Sequence, residues 1–188
     1  MVDLEVEGGD DCKCAHQASV VGVSCTSMSF TLGEKTVDEQ LRAFDPATPV
    51  TDMARGQLQA LLALGVKKVA LMTPYIEEVS AANQKMLEAG GVSVVYRLTM
   101  GLERDEQTTA VDPEVIKEWA LAADCEDADC VVIGCSAFRA CGDGFIDDLE
   151  KSLGKPVVTS TQAFLWAMLR AGGVKDQIEG YGQLLRRC

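Results

Sequence analysis

Short apolar runs rich in β-branched residues alternate along this chain with longer amphipathic stretches. The runs at 19–24, 69–72, 92–96, 130–134 and 156–159 each have the length of one buried strand. Between them lie helical patterns with their own start and stop signals. Thr36-Val37-Asp38-Glu39 reads as a capping box opening a helix to Phe44, and Asp45-Pro46-Ala47-Thr48-Pro49 breaks it. Thr51 or Asp52 caps the next helix, whose leucines at 58, 61, 62 and 64 face a core before Gly65 stops it. A further helix runs to Ala89, and Asp112-Pro113-Glu114 opens another, with proline at its first position, to about Ala123. Helices over 147–153 and 161–171 complete the pattern, the last with Phe164, Leu165, Met168 and Leu169 on one face. Strands and helices alternating at this spacing predict an α/β fold with parallel sheets.

Two of the strands end alike. Val20-Val21-Gly22-Val23-Ser24 leads into Cys25-Thr26-Ser27, and Val131-Val132-Ile133-Gly134 leads into Cys135-Ser136. Ligands of open parallel sheets bind at the carboxyl ends of the strands. A pair of thiols facing one substrate is therefore the first chemical expectation. A lone cysteine after a buried strand is more often a small core residue, and each of the two carries that reading as well.

Composition narrows the picture. The 188 residues suffice for one domain or two small lobes with a real core. No apolar run approaches a membrane span, and the acidic amino terminus lacks the order of a secretion signal, which predicts a cytoplasmic protein. The net charge of −12 would repel nucleic acid and anionic membranes. Eight cysteines in such a chain read as reduced thiols. Cys12-Lys13-Cys14-Ala15-His16 has the wrong spacing for a zinc knuckle and lacks a second ligand pair. No Gly-x-Gly-x-x-Gly or Walker loop supports nucleotide binding. His16 is the single histidine, which leaves Ser-His and Cys-His hydrolase schemes without a base. Cys141 lies in a Gly-Asp-Gly loop, and Arg139 could pair with a substrate or with the acidic stretch from Asp143 to Glu150.

The two cysteine turns, Thr73-Pro74-Tyr75, and Gly154-Lys155-Pro156-Val157-Val158-Thr159-Ser160 together resemble the aspartate/glutamate racemase superfamily. The maleate cis-trans isomerase and arylmalonate decarboxylase branch is the most similar. The 161–170 helix resembles the isomerases, and Gly180-Tyr181-Gly182-Gln183-Leu184 the decarboxylase. The resemblance covers about residues 18–185 and implies two pseudo-symmetric Rossmann-like lobes with the site between them. One lobe would be 16–50 plus 160–185 and the other 51–159, after an acidic lead-in over 1–15. It implies no metal or organic cofactor. By the same resemblance, Cys25 and Cys135 are the catalytic cysteines; the decarboxylase has glycine at the first position and keeps the second as proton donor. Thr26, Ser27 and Tyr75 match hydroxyls that hold a substrate carboxylate, and Ser136 would offer its N–H to the same anion. Ser80 stands where the branch commonly has asparagine. Family members begin with a further strand–helix unit ahead of the first cysteine strand, for which residues 1–18 are too short. That predicts an incomplete first lobe, with exposed sheet edge favouring a homo-oligomer.

The chemistry asks for such residues. Proton removal alpha to a carboxylate, or addition to an unsaturated diacid, builds negative charge that hydroxyl and N–H donors can meet. A thiol, ordinarily near pKa ~8.5, becomes a base or nucleophile when N–H dipoles lower it. The expectation is a cofactor-independent isomerase or racemase on a small dicarboxylate, most like maleate isomerase. The alternatives are an arylmalonate-type decarboxylase or related lyase, or a truncated, catalytically silent member.

Overall fold

The computed structural model describes residues 18–43, 46–142 and 144–188. The lead-in, the Cys12 to His16 segment and the question of a preceding strand–helix unit all lie outside them. Among the described residues two parallel sheets form. The smaller pairs β1 (Val21–Val23) with β2 (Val50–Asp52). The larger holds β3 (Lys68–Tyr75), β4 (Ser93–Leu102), β5 (Cys130–Ile133) and β6 (Val157–Thr159) in the order β4-β3-β5-β6. The chain crosses from β3 to β4 on one side and places β5 on the other. This creates a switch point at the carboxyl ends of β3 and β5, where open α/β sheets bind ligands.

The period-2 alternation of the strands sorts side chains onto two faces. Val69, Leu71, Cys130, Val132 and Val158 pack on one face with α3 (Met53–Ala63), α4 (Glu77–Ala89), α8 (Ser160–Ala171) and α9 (Gly182–Arg187). Ala70, Met72, Val131, Ile133 and Val157 pack on the other with α6 (Pro113–Ala123) and α7 (Phe145–Leu153). Leu61, Leu71, Leu87, Ile116 and Ile146 are fully buried, each worth about 1.5–3 kcal/mol against exposure. Asp52 caps α3 by accepting from the Arg55 N–H at 2.9 Å, and Asp112 caps α6 through the Glu114 N–H at 2.9 Å.

Several local expectations are corrected. Cys25 is followed directly by α1 (Thr26–Leu32), which lacks a side-chain cap and acidic residues in its first turn. Gly33, at φ +82°, turns α1 into α2 (Glu34–Arg42), so that helix begins ahead of the Thr36 box. Thr73-Pro74-Tyr75 is not a turn but the end of β3, where a register shift lets proline sit in a ladder. Strand β2 and the short α5 (Asp105–Thr109) and α9 carry no periodic signal long enough to predict them. No helix among the described residues is long and apolar enough to cross a membrane.

Candidate active site

The carboxyl ends of β1, β3 and β5 bring Cys25, Tyr75 and Cys135 together. Cys25 occupies the N-cap of α1 in extended conformation, with its Sγ 3.7 Å from the Ser27 hydroxyl. The Ser29 hydroxyl donates to the Cys25 carbonyl at 2.8 Å, fixing the turn. Tyr75 is aimed by its neighbours: the Thr99 hydroxyl donates to its carbonyl, and its ring meets Phe30 edge-on with centroids 6.2 Å apart. Its hydroxyl interacts with Cys135 and with Thr26, and it lies within the electrostatic reach of Cys25. Burial, then the neighbouring Cys135, pushes the phenol well above its ordinary range, so it stays a neutral donor.

Cys135 follows β5 at φ +95°, the one non-glycine residue in the left-handed half of backbone space among the described residues. Its own N–H donates to the Ser160 hydroxyl at 3.0 Å, and its Sγ accepts from the Ala137 N–H at 3.4 Å. Burial pushes the thiol up; the Tyr75 hydroxyl and the N–H groups of Ala137 and Phe138 pull against that, and Asp105 adds to the rise. The net direction is upward, a correction to the expectation that N–H dipoles would lower it. At neutral pH Cys135 is therefore a protonated thiol, suited to giving a proton.

The remaining residues singled out from the sequence lie at or behind these strand ends, in different states. Thr26 is buried and donates to the Met53 Sδ at 3.3 Å. Ser27 and Tyr75 line a cavity of about 420 Å³ together with Val79, Leu102, Arg104 and Asp105. Ser136 is half-buried, next to Cys135, and its N–H has no partner among the described residues. Ser80 is fully buried and accepts from Thr73 at 3.0 Å, behind the site rather than in it. Arg139 donates to the Val111 carbonyl at 3.2 Å, and Cys141 is half-buried in its loop.

Sequence reasoning did not single out Arg104, Gln57 or Asn83, and Ser160 entered it only as the last residue of the Gly154–Ser160 motif, without a role. Arg104 lies in a charged loop that only the fold places on the cavity. Gln57 and Asn83 carried a weak signal, each being polar at a helix position that the apolar spacing turns inward.

A family profile described as Amdase, arylmalonate decarboxylase, matches residues 9–185. The chain belongs to this family. Among the relatives of the arylmalonate decarboxylase family it matches is the arylmalonate decarboxylase of Bordetella bronchiseptica, 31% identical over 172 residues, which are 89% of this chain and 71% of that protein. Another is the maleate isomerase of Nocardia farcinica, 25% identical over 154 residues, covering 82% of this chain and 61% of the isomerase. The chain thus spans less than two thirds of some relatives it matches. A solved structure of a doubly substituted arylmalonate decarboxylase in the liganded form superposes with a TM-score of 0.81 at 29% identity, over 90% of this chain and 74% of that one. The family and its α/β fold with parallel sheets are as the resemblance implied.

Proposed function

We propose that this protein is a cofactor-independent isomerase or racemase of a small dicarboxylate, most like maleate cis-trans isomerase, working through Cys25 and Cys135. The observation that carries the reading is that the hydroxyl of Tyr75, a residue on the cavity wall, interacts with Cys135 and lies within the electrostatic reach of Cys25. In the proposed reaction Cys25, as thiolate, adds to the double bond, and the electron pair moves onto the neighbouring carbon and its carboxylate. The Cys135 proton goes to that carbon, rotation follows about the new single bond, and Cys135 takes the proton back as the thiolate leaves. Thr26, Ser27, Tyr75 and the Ser136 N–H meet the carboxylate charge as it grows. Arg104, on the cavity wall, supplies a cation for the second carboxylate. The division into lobes at 16–50 plus 160–185 and 51–159, with the site between them, belongs to the same proposal.

The second reading is decarboxylation of a substituted malonate. It is favoured by a protonated Cys135 in position to give a proton to a carbanion, and by the 31% identity to a decarboxylase. Proton NMR in deuterium oxide separates the two. Wild-type protein and the variants Cys25→Ser and Cys135→Ala would be incubated with maleate, with D- and L-aspartate and glutamate, and with an arylmalonate. Fumarate formation or alpha-carbon exchange lost in both variants supports the two-thiol reading. A fully active Cys25→Ser variant, or turnover of the arylmalonate alone, replaces it with the decarboxylase reading. No turnover of any acid leaves the silent member.

A further inference from the structure

We propose that Ser160, itself held by Gln57 and Asn83, is the positioning residue that fixes Cys135 for proton transfer. The proposal deepens the functional reading above and rests on it for the role of Cys135. A non-glycine residue at φ +95° is strained and persists only where its surroundings over-determine it. The restraint here is a chain of three fully buried polar side chains. Asn83 Nδ2 donates to Gln57 Oε1 at 3.1 Å, Gln57 Nε2 donates to Ser160 Oγ at 3.4 Å, and Ser160 Oγ accepts the Cys135 N–H at 3.0 Å. The chain runs from α4 through α3 to the first turn of α8 and ends on the backbone of the candidate acid. A seryl oxygen has two lone pairs, and this arrangement occupies both.

Asn83 also packs beside the residue ahead of Cys135. A Cβ at Gly134 would lie 2.9 Å from Thr73 Cγ2 and 3.1 Å from Asn83 Oδ1, so Thr73 and Asn83 leave no room for a side chain on the residue ahead of Cys135. Burying three polar side chains is costly, the more so because the buried Asn83 Oδ1 has no partner among the described residues, and apolar side chains would fill the same space without that cost. What the polar chain provides and an apolar one cannot is an acceptor for the Cys135 N–H. With that N–H occupied, the thiol is turned toward Tyr75 and the Ala137 N–H. The substrate anion is left the Ser136 N–H and the hydroxyls.

The test uses Ser160→Ala, Ser160→Thr and Gln57→Met, each checked for native circular dichroism. The first readout is iodoacetamide alkylation of Cys135 against pH, located by peptide mass spectrometry. It needs no substrate, so it stands or falls apart from the functional reading. Loss of the Ser160 hydroxyl should let the thiol swing off its donors and raise the alkylation midpoint by about half a pH unit or more. With a turned-over acid, kcat should fall about 10- to 100-fold while KM moves less than about threefold. Ser160→Thr should restore both, and Gln57→Met should lie between. A native Ser160→Ala with the wild-type midpoint overturns the proposal, as does a Ser160→Thr that restores nothing. If Ser160→Ala does not fold, Gln57→Met decides: a raised midpoint supports the assignment and an unchanged one overturns it. A raised midpoint without turnover of any acid keeps the positioning role and sinks the functional reading.

Discussion

Replacing Tyr75 by phenylalanine removes one oxygen from the centre of the site and almost nothing else. The ring keeps its edge-on contact with Phe30, and Thr26 keeps its bond to Met53 at 3.3 Å. The lost hydroxyl interacts with Cys135 and Thr26, so the expected cost in stability is about 1 kcal/mol, and the variant should fold. Its cost in rate should be larger. A donor aimed at charge that develops in the transition state is worth about 2.7–4 kcal/mol, or roughly 10²–10³ in kcat. The same hydroxyl is the foremost group pulling the Cys135 thiol down against burial. Without it burial acts with less opposition, and the thiol should titrate higher still. The assay is kcat and KM for maleate-to-fumarate conversion, beside guanidinium denaturation and the Cys135 alkylation profile. A folded variant losing less than about threefold in kcat, or one whose Cys135 midpoint falls, would refute the placing of Tyr75 in the anion site.

Two further outcomes are expected. Arg104 is exposed at the cavity wall, so Arg104→Gln should raise KM for a dicarboxylate about three- to fivefold with little change in kcat; an unchanged KM removes it from substrate binding. The fully buried Cys130 thiol is pushed up, chiefly by burial, so it stays protonated in the fold at pH values where the unfolded chain, with a thiol pKa near ~8.5, has lost its proton. Its contribution to stability is complete below that value and is lost as pH rises toward the folded pKa, at about 1.4 kcal/mol per pH unit. Denaturation at several pH values between roughly 8 and 10 should show a shallower fall for Cys130→Ala than for wild type; equal slopes would show that Cys130 is not responsible.

The sequence by itself determined the alternation of strands and helices, because apolar periodicity and capping residues are local signals. The cysteines at the ends of the β1 and β5 runs, the Asp52 and Asp112 caps and the stop at Gly154 were all legible for that reason. Elements whose stability comes from neighbours were not. Strand β2 has three residues after a proline and exists by pairing with β1, and α1 starts on a cysteine that offers no side-chain cap. The site divides in the same way. Cys25 and Cys135 could be named from the strands they follow, and Thr26, Ser27, Tyr75 and Ser136 from the family resemblance, but only the order β4-β3-β5-β6 sets Tyr75 beside Cys135. The positive φ of Cys135, its raised thiol and the Ser160–Gln57–Asn83 chain depend on contacts between residues 25 or more apart. Burial and hydrogen-bond pairing at that separation are properties of packed elements, and no window along the chain contains them.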